Sequence, residues 1–365
     1  MALDLPLGPA LEAALRECVD AGDAFCVLDP RLSARRRLET LTRLGATAVR
    51  DADGRRRLDG GREVGPDVGL VALTSGSSGP PRAAELTWTA LRASASMTAE
   101  ALRAERPSVW YPCLPASHIG GLAVLLRAIL GDATLLWGNA TDVGTAVSRG
   151  ATHVAVVRTQ ILRFDLSGFS RVLLGGARPP SNVAPNVIAT WGMTETGSGI
   201  VYDAVALPGV DVASVGGELI VRSPTLFHSY RDSPRPRVTG PDGDPNWFPT
   251  GDAGHVVDGR VRVLGRLGFV INTGGEKVWP DDLEAALLTV AGVRDVAVTG
   301  VSDPEWGQRV IALVVSDDSA LDDAIREVAT ERVGPWAKPK EIRYVTEIPR
   351  TDNGKIRRAD LESMD

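Results

Sequence analysis

Short islands of this chain carry residue types suited to phosphate and carboxylate chemistry. Thr74-Ser75-Gly76-Ser77-Ser78-Gly79-Pro80-Pro81-Arg82 follows the apolar run Leu70-Val71-Ala72-Leu73, and so reads as a loop leaving a buried strand. Its glycines open backbone conformations closed to other residues. Its hydroxyls and free N–H groups can then wrap an anion such as the phosphates of a nucleotide. Arg82 adds a planar, charged donor fork. No Gly-Lys-Ser/Thr follows, so this is not a Walker loop, and by itself the composition also suits a flexible connector. Four further islands lie downstream: Trp191-Gly192-Met193-Thr194-Glu195, Pro249-Thr250-Gly251-Asp252, Gly265-Arg266 with Thr273-Gly274-Gly275-Glu276-Lys277, and Pro349-Arg-Thr-Asp-Asn-Gly-Lys355-Ile-Arg-Arg358. They offer carboxylates beside an aromatic ring, a carboxylate on a turn, small residues where backbone can approach a ligand, and a basic turn. Each is weak alone; their order along one chain is the strong signal.

The elements that must position these groups alternate. Residues 69–73, 109–114, 133–137, 153–157 and 171–174 read as short buried strands, with helices at 10–19, 87–104, 119–130 and 141–149. This alternation predicts a largely parallel sheet with helical crossovers. Beyond Val205, Glu218–Arg222 and Gly259–Gly265 read as period-two strands of a small antiparallel unit. From about Gly265 the texture changes again. A helix with Asp281 and Asp282 in its first turn, strands at 293–301, 310–315 and 341–345, and a helix at 320–332 predict an α+β domain.

Composition sets the outer limits. The 365 residues are 44% hydrophobic and 24% charged, ordinary globular values that allow two domains. With a net charge of -6 and no basic cluster interleaved with aromatics, nucleic acid is not an expected partner. No signal peptide and no membrane span is read from the sequence. The three cysteines, Cys18, Cys26 and Cys113, follow no framework spacing, which fits a reducing cytoplasm. Cys113 has no His or acid placed to activate it and reads as packing.

From about residue 69 to the C-terminus, the ordered islands resemble the AMP-forming adenylating superfamily, which includes acyl-CoA synthetases and peptide-synthetase adenylation domains. Leu114-Pro-Ala-Ser-His118-Ile-Gly-Gly121 and Gly192-Met-Thr-Glu-Thr-Gly-Ser-Gly-Ile-Val-Tyr-Asp203 most resemble the short actinobacterial 2-succinylbenzoate–CoA ligases of menaquinone biosynthesis. The resemblance implies an α/β fold. Residues 1–265 would form a large ATP- and acid-binding domain of mixed β-sheets with helices and a small antiparallel β unit. Residues 266–365 would form a small mobile α+β domain. Only 73 residues precede the phosphate loop, so a truncated first subdomain is expected, altering substrate access or favouring a homodimer.

The implied activity joins 2-succinylbenzoate to CoA with cleavage of ATP to AMP and pyrophosphate, through an acyl-adenylate, in the cytoplasm. Another aryl or short acyl-CoA ligase, or a stand-alone adenylating enzyme loading a carrier protein, stays open. The expected cofactors are ATP, Mg²⁺ and the co-substrate CoA. The resemblance gives Thr74, Ser75, Gly76, Ser77, Ser78, Gly79 and Arg82 to the β- and γ-phosphates, Thr194 to the α-phosphate and Glu195 to Mg²⁺. Gly175, Gly176, Ala177, Trp191 and Gly192 go to adenine, Asp252 and Arg266 to ribose, and Gly274 and Gly275 to the pantetheine channel. Lys355 is expected to bridge the acyl carboxylate and the α-phosphate, and His118 to sit at the mouth of the acyl site. Gly121, Ser198 and Gly199 would leave room for a ring, with Arg158 the candidate for a second carboxylate. Three departures from the family stand out. Arg82 replaces a usual Lys, Gly268 a polar hinge residue, and Phe269 an acidic one.

Overall fold

The computed structural model describes residues 1–74, 81–102, 108–131, 133–176, 179, 183–351 and 354–364. They group into two compact units. One holds residues 1–212, 221–238 and 245–248; the other holds 213–220, 239–244 and 249–365.

In the first unit, Thr134–Leu135, Val109–Tyr111, His153–Val156, Arg171–Leu174 and Val187–Met193 pair in parallel in that order. Parallel strands need crossovers that cover both faces, which is why these segments read as unbroken apolar runs. The helix Ile119–Leu130 buries Gly121 through Ala128, and Val143 and Ala146 of the 3₁₀ segment Ala140–Arg149 join the core around Tyr111, Val154 and Val172. The strand expected over 109–114 ends at Tyr111, because Pro112 has no N–H to give the ladder. Ser198–Tyr202 returns antiparallel to Val187–Met193, with a bulge between Trp191 and Gly192.

A second sheet of this unit pairs Val68–Leu73 with Ala83–Thr87, and the latter with Ser229–Tyr230. A third, absent from the sequence reading, orders Cys26–Val27, Ala2–Leu3, Ala48–Asp51 and Gly54–Arg57. Its shortest strands have two residues, too few to show a period.

In the second unit, Phe248–Val257 and Arg260–Arg266 form an antiparallel hairpin. Farther on, Asp295–Asp303 pairs antiparallel with Gly307–Val315, and Glu341–Tyr344 adds in parallel. Period-two alternation splits these strands between two cores. Val296, Val298, Val310, Ala312 and Val314 pack against the helices Pro280–Leu287 and Asp322–Arg332. Ala297, Ile311, Leu313 and Val315 pack against Ile348, Ile356 and Leu361. The basic turn is thereby anchored on both flanks by apolar side chains. Among the described residues no helix is long and apolar enough to cross a membrane.

Candidate functional site

The phosphate-loop island is a connection between adjacent antiparallel strands, closed at its base. Thr74 N donates to the Arg82 carbonyl at 2.8 Å, and Arg82 N donates to Thr74 Oγ1 at 3.0 Å. Ser75, Gly76, Ser77, Ser78 and Gly79 lie outside the described residues, as does Ala177 of the adenine segment. Arg82 donates from Nη2 to Ser233 Oγ at 2.5 Å, and its guanidinium carbon lies 3.4 Å from the Tyr230 ring centroid. Gly175 and Gly176 follow the Arg171–Leu174 strand, where Gly175 N donates to the Val156 carbonyl at 3.2 Å.

Trp191 pairs with Val201 and is half-buried beside the bulge. The next four residues are tied into a tight turn by Thr196, which is fully buried. Its Oγ1 accepts from Met193 N at 2.9 Å and lies 2.7 Å from the Ser198 carbonyl. This knot sets out Thr194 and Glu195. A Cβ on Gly192 would stand 2.2 Å from the Ser198 carbonyl oxygen, so only glycine lets the turn close. Glu195 is gripped twice by one segment: Phe227 N donates to its carbonyl and Tyr230 Oη to its Oε1, both at 2.8 Å. Tyr230 was not singled out in the sequence; an isolated Tyr after Thr225-Leu-Phe-His-Ser carries no pattern that marks it.

The acyl-site candidates sit around the helix Ile119–Leu130. His118 occupies its N-cap position without a side-chain cap bond. Gly121 lies so close to the preceding turn that a Cβ would meet the Pro115 carbonyl oxygen at 2.3 Å, and one on Gly199 would meet Thr190 Cβ at 3.0 Å. Close packing accounts for both glycines. Arg158 is half-buried and opens the short helix Arg158–Ile161.

Arg127 went unnoticed in the sequence, yet it is the one charged residue in Ile-Gly-Gly-Leu-Ala-Val-Leu-Leu-Arg-Ala-Ile-Leu. It is only 7% exposed; Nη2 donates to Ser198 Oγ at 2.9 Å, and its guanidinium lies 4.9 Å from the Trp110 ring centroid. Among the described residues, buried Nη1 has no partner and no carboxylate pairs with the side chain. Burial pulls its pKa below the ordinary arginine value. Together with Gly197, Ser94 and Leu91 it lines a cavity of about 10 Å³, room for about one water. Nearby His153 is held neutral, its pKa pushed down to about 4 by burial and then by the charges of Arg171 and Arg127. Burial raises the Cys113 thiol to about 12, which removes it as a nucleophile.

In the second unit, Asp252 and Arg266 face each other across the hairpin. Arg266 Nε stands 2.9 Å from Asp252 Oδ1, and its Nη1 donates to the Thr250 carbonyl at 2.7 Å. The two residues expected from the sequence at the ribose are paired with each other. Gly274 and Gly275 form a two-residue hairpin turn with φ of 58° and 86°, the left-handed pair that such a turn requires. A Cβ on Gly274 would also stand 2.9 Å from Trp306.

Lys355 is half-buried on a turn closed by Thr351, whose N donates to the Lys355 carbonyl at 2.7 Å. Arg350 braces it, with Nη1 on the Gly354 carbonyl and Nη2 on both Asp295 oxygens at 2.7 and 2.9 Å. Arg358 reaches Glu284 Oε1 and the Val298 carbonyl at 2.8 Å each, and Asp281 at 2.5 Å. Its guanidinium lies 5.5 Å from the Phe269 ring centroid, so the apolar ring stands beside a cation that already holds two carboxylates. Burial, the largest effect, pushes Glu284 up from 4.5 to about 7, while Arg358 pulls it down. A raised acid pKa means the folded state holds the proton more tightly, so stability falls as pH rises through that window and then levels. The thermal midpoint of this unit should drop between pH 5 and 7, and Glu284→Gln should flatten that slope. A midpoint that climbs over the same range would contradict this.

Residues 282–355 match the AMP-binding enzyme C-terminal domain family. A probable 2-succinylbenzoate–CoA ligase of Mycobacterium tuberculosis is 35% identical over 332 residues, covering 82% of this chain and 85% of that protein. The 2-succinylbenzoate–CoA ligase of Bacillus pumilus is 27% identical over 80% of this chain and 68% of its own length. A solved o-succinylbenzoate CoA synthetase from Bacillus subtilis, in complex with its acyl-adenylate intermediate, superposes with a TM-score of 0.85. It covers all of this chain and 88% of that one at 22% identity, a likeness of fold. By the extent and identity of the mycobacterial match, the chain belongs to the AMP-forming acid–CoA ligases of the adenylating superfamily.

Proposed function

We propose that this enzyme converts 2-succinylbenzoate, ATP and CoA to 2-succinylbenzoyl-CoA, AMP and pyrophosphate, a step of menaquinone biosynthesis. The observation that carries the choice of acid is Arg127, a buried guanidinium with no carboxylate partner among the described residues. A buried cation without an anion is costly. A substrate with a second carboxylate, beyond the one that reacts, supplies the missing charge. Arg127 suits that role better than half-buried Arg158 because its unmade N–H lies inside the unit. The relatives' names support the same acid.

The reaction asks little covalent chemistry of the protein. A carboxylate oxygen attacks the α-phosphorus, pyrophosphate leaves, and the CoA sulfur then attacks the acyl carbon and expels AMP. Positioning and charge stabilisation carry both steps. We assign Arg82 and the loop it closes to the departing phosphates, Thr194 to the α-phosphate, Trp191 with Gly175 and Gly176 to adenine, Asp252 with Arg266 to ribose, and Lys355 to the charge that develops during adenylation. Thiolysis is given to the turn at Gly274 and Gly275, where absent side chains admit a thin ligand.

Among the described residues no three His, Cys, Asp or Glu side chains gather as a metal cage. A single carboxylate next to a phosphate loop is nonetheless the donor set Mg²⁺ takes with nucleotides, completed by phosphate and water oxygens. Glu195 fits this, because Tyr230 occupies one of its oxygens and a carboxylate accepts more than one partner. When bound there, Mg²⁺ neutralises phosphate charge. We place the domain boundary at 265/266, at the last residue of the Arg260–Arg266 strand and one residue before the 3₁₀ turn Leu267–Phe269. Three buried cysteines, none in a disulfide, support a reducing, cytoplasmic setting.

The acceptor is tested directly by offering CoA and a phosphopantetheinyl carrier protein in parallel. Thioester formation with CoA is expected. Transfer to the carrier alone would overturn the ligase assignment and leave an adenylating enzyme.

A further inference from the structure

We propose that Tyr230 is a positioning residue that aims the Glu195 carboxylate at a divalent cation and holds the Arg82 guanidinium apart from it. The inference rests on Glu195 being the cation carboxylate, as assigned above.

Three groups meet on one side chain. The Tyr230 hydroxyl donates to Glu195 Oε1 at 2.8 Å, while Arg82 stacks on the ring with its guanidinium carbon 3.4 Å from the centroid. An arginine and a carboxylate this close to a common side chain would ordinarily form a charge-assisted pair. Here each meets a different part of Tyr230, Arg82 the ring face and Glu195 the hydroxyl, and Arg82 donates to Ser233 Oγ instead. A direct pair would neutralise both groups before the nucleotide arrived. Kept apart, each retains its charge for the ligand it suits, phosphate for one and cation for the other.

The ring is built to hold this position. Tyr230 is 7% exposed, and Phe227, fully buried, meets it edge-on at 4.7 Å. Its backbone pairs with Ala84, two residues beyond Arg82, and Phe227 N fixes the Glu195 carbonyl. One short segment therefore sets the main chain and the side chain of Glu195 together. With Oε1 held by the phenol, the carboxylate is partly ordered before the cation binds. Preorganisation of this kind lowers the cost of binding.

Tyr230→Phe removes the donor while keeping the ring. Binding of Mn²⁺ to the full-length enzyme with a non-hydrolysable ATP analogue is measured by calorimetry, alongside the Mg²⁺ dependence of adenylation and the thermal midpoint. The variant is expected to weaken Mn²⁺ binding and raise the half-saturating Mg²⁺ by about tenfold, the scale of one hydrogen bond to a charged group. KM for ATP at saturating Mg²⁺ should be unchanged, a split that a purely structural role would not produce. Glu195→Gln serves as the control. Weakened cation binding in Glu195→Gln with none in Tyr230→Phe overturns the inference and leaves the role of Glu195 standing. No change in either variant overturns that role and the inference with it.

Discussion

Lys355→Ala should lower acyl-adenylate formation by about 10²–10³-fold, the range seen when one preorganised donor to developing charge is removed. The loss should fall on one half-reaction only. When preformed acyl-adenylate is supplied, thioester formation with CoA should proceed at close to the wild-type rate. The expectation follows from how the residue is held. Its turn is closed by Thr351, braced by the bidentate Arg350–Asp295 pair, and seated on a core through Ile348 and Ile356. Those contacts are made by the backbone, Thr351 and Arg350, and all of them remain in the variant. Lys355→Arg should rescue poorly, since a planar fork cannot replace a compact ammonium between two oxygens. Pyrophosphate release and thioester formation, measured separately, check this. Equal loss in both half-reactions would remove Lys355 from its assigned step.

Arg127→Met should raise KM for 2-succinylbenzoate by about a hundredfold, within the range for truncating one partner of a buried charge pair. Acids lacking the second carboxylate should be handled about as before. Stability gives an independent reading. For most buried arginines, truncation strands a carboxylate and destabilises the protein. Arg127 has no such partner among the described residues, and its bond to Ser198 is to a neutral hydroxyl. Replacing an uncompensated buried charge by an apolar side chain of similar length should leave the thermal midpoint unchanged or raise it. A sharp fall in midpoint, with equal loss on all acids, would make Arg127 a structural residue.

The sequence made some of this legible because the chemistry and the pattern coincide. The strands at 109–111, 153–156 and 171–174 of the parallel sheet were readable as apolar runs because they are largely buried, whereas Val68–Leu73, read with them, pairs antiparallel in another sheet. The Asp295–Asp303 and Gly307–Val315 pair was readable because its alternation serves two cores. Asp252 and Arg266 stand opposite each other on a hairpin of which only the Arg260–Arg266 strand is legible as period two; Pro249–Asp252 reads as a turn in the sequence and is instead part of the strand Phe248–Val257. Other features had no linear signature. The N-terminal sheet is built from strands as short as two residues. Tyr230 acts through a ladder to Ala84 and a bond to Glu195, both far off in sequence. Arg127 did carry a signal, a lone charge on an otherwise apolar helix, but exposure is the ordinary fate of arginine, and only burial distinguishes this one. Ser198 and Gly121 were read as room for a ring. Their surroundings show a hydroxyl engaged by Arg127 and a glycine demanded by the Pro115 carbonyl, contacts that appear only in three dimensions.

Substrate preference identifies the acid most directly. Pyrophosphate release by the full-length enzyme, with ATP, Mg²⁺ and CoA present, should be measured for 2-succinylbenzoate, benzoate, 4-phenyl-4-oxobutanoate and succinate. The highest kcat/KM is expected for 2-succinylbenzoate, with a large penalty for each analogue that lacks one carboxylate. Equal or better turnover of a monocarboxylic acid would contradict it.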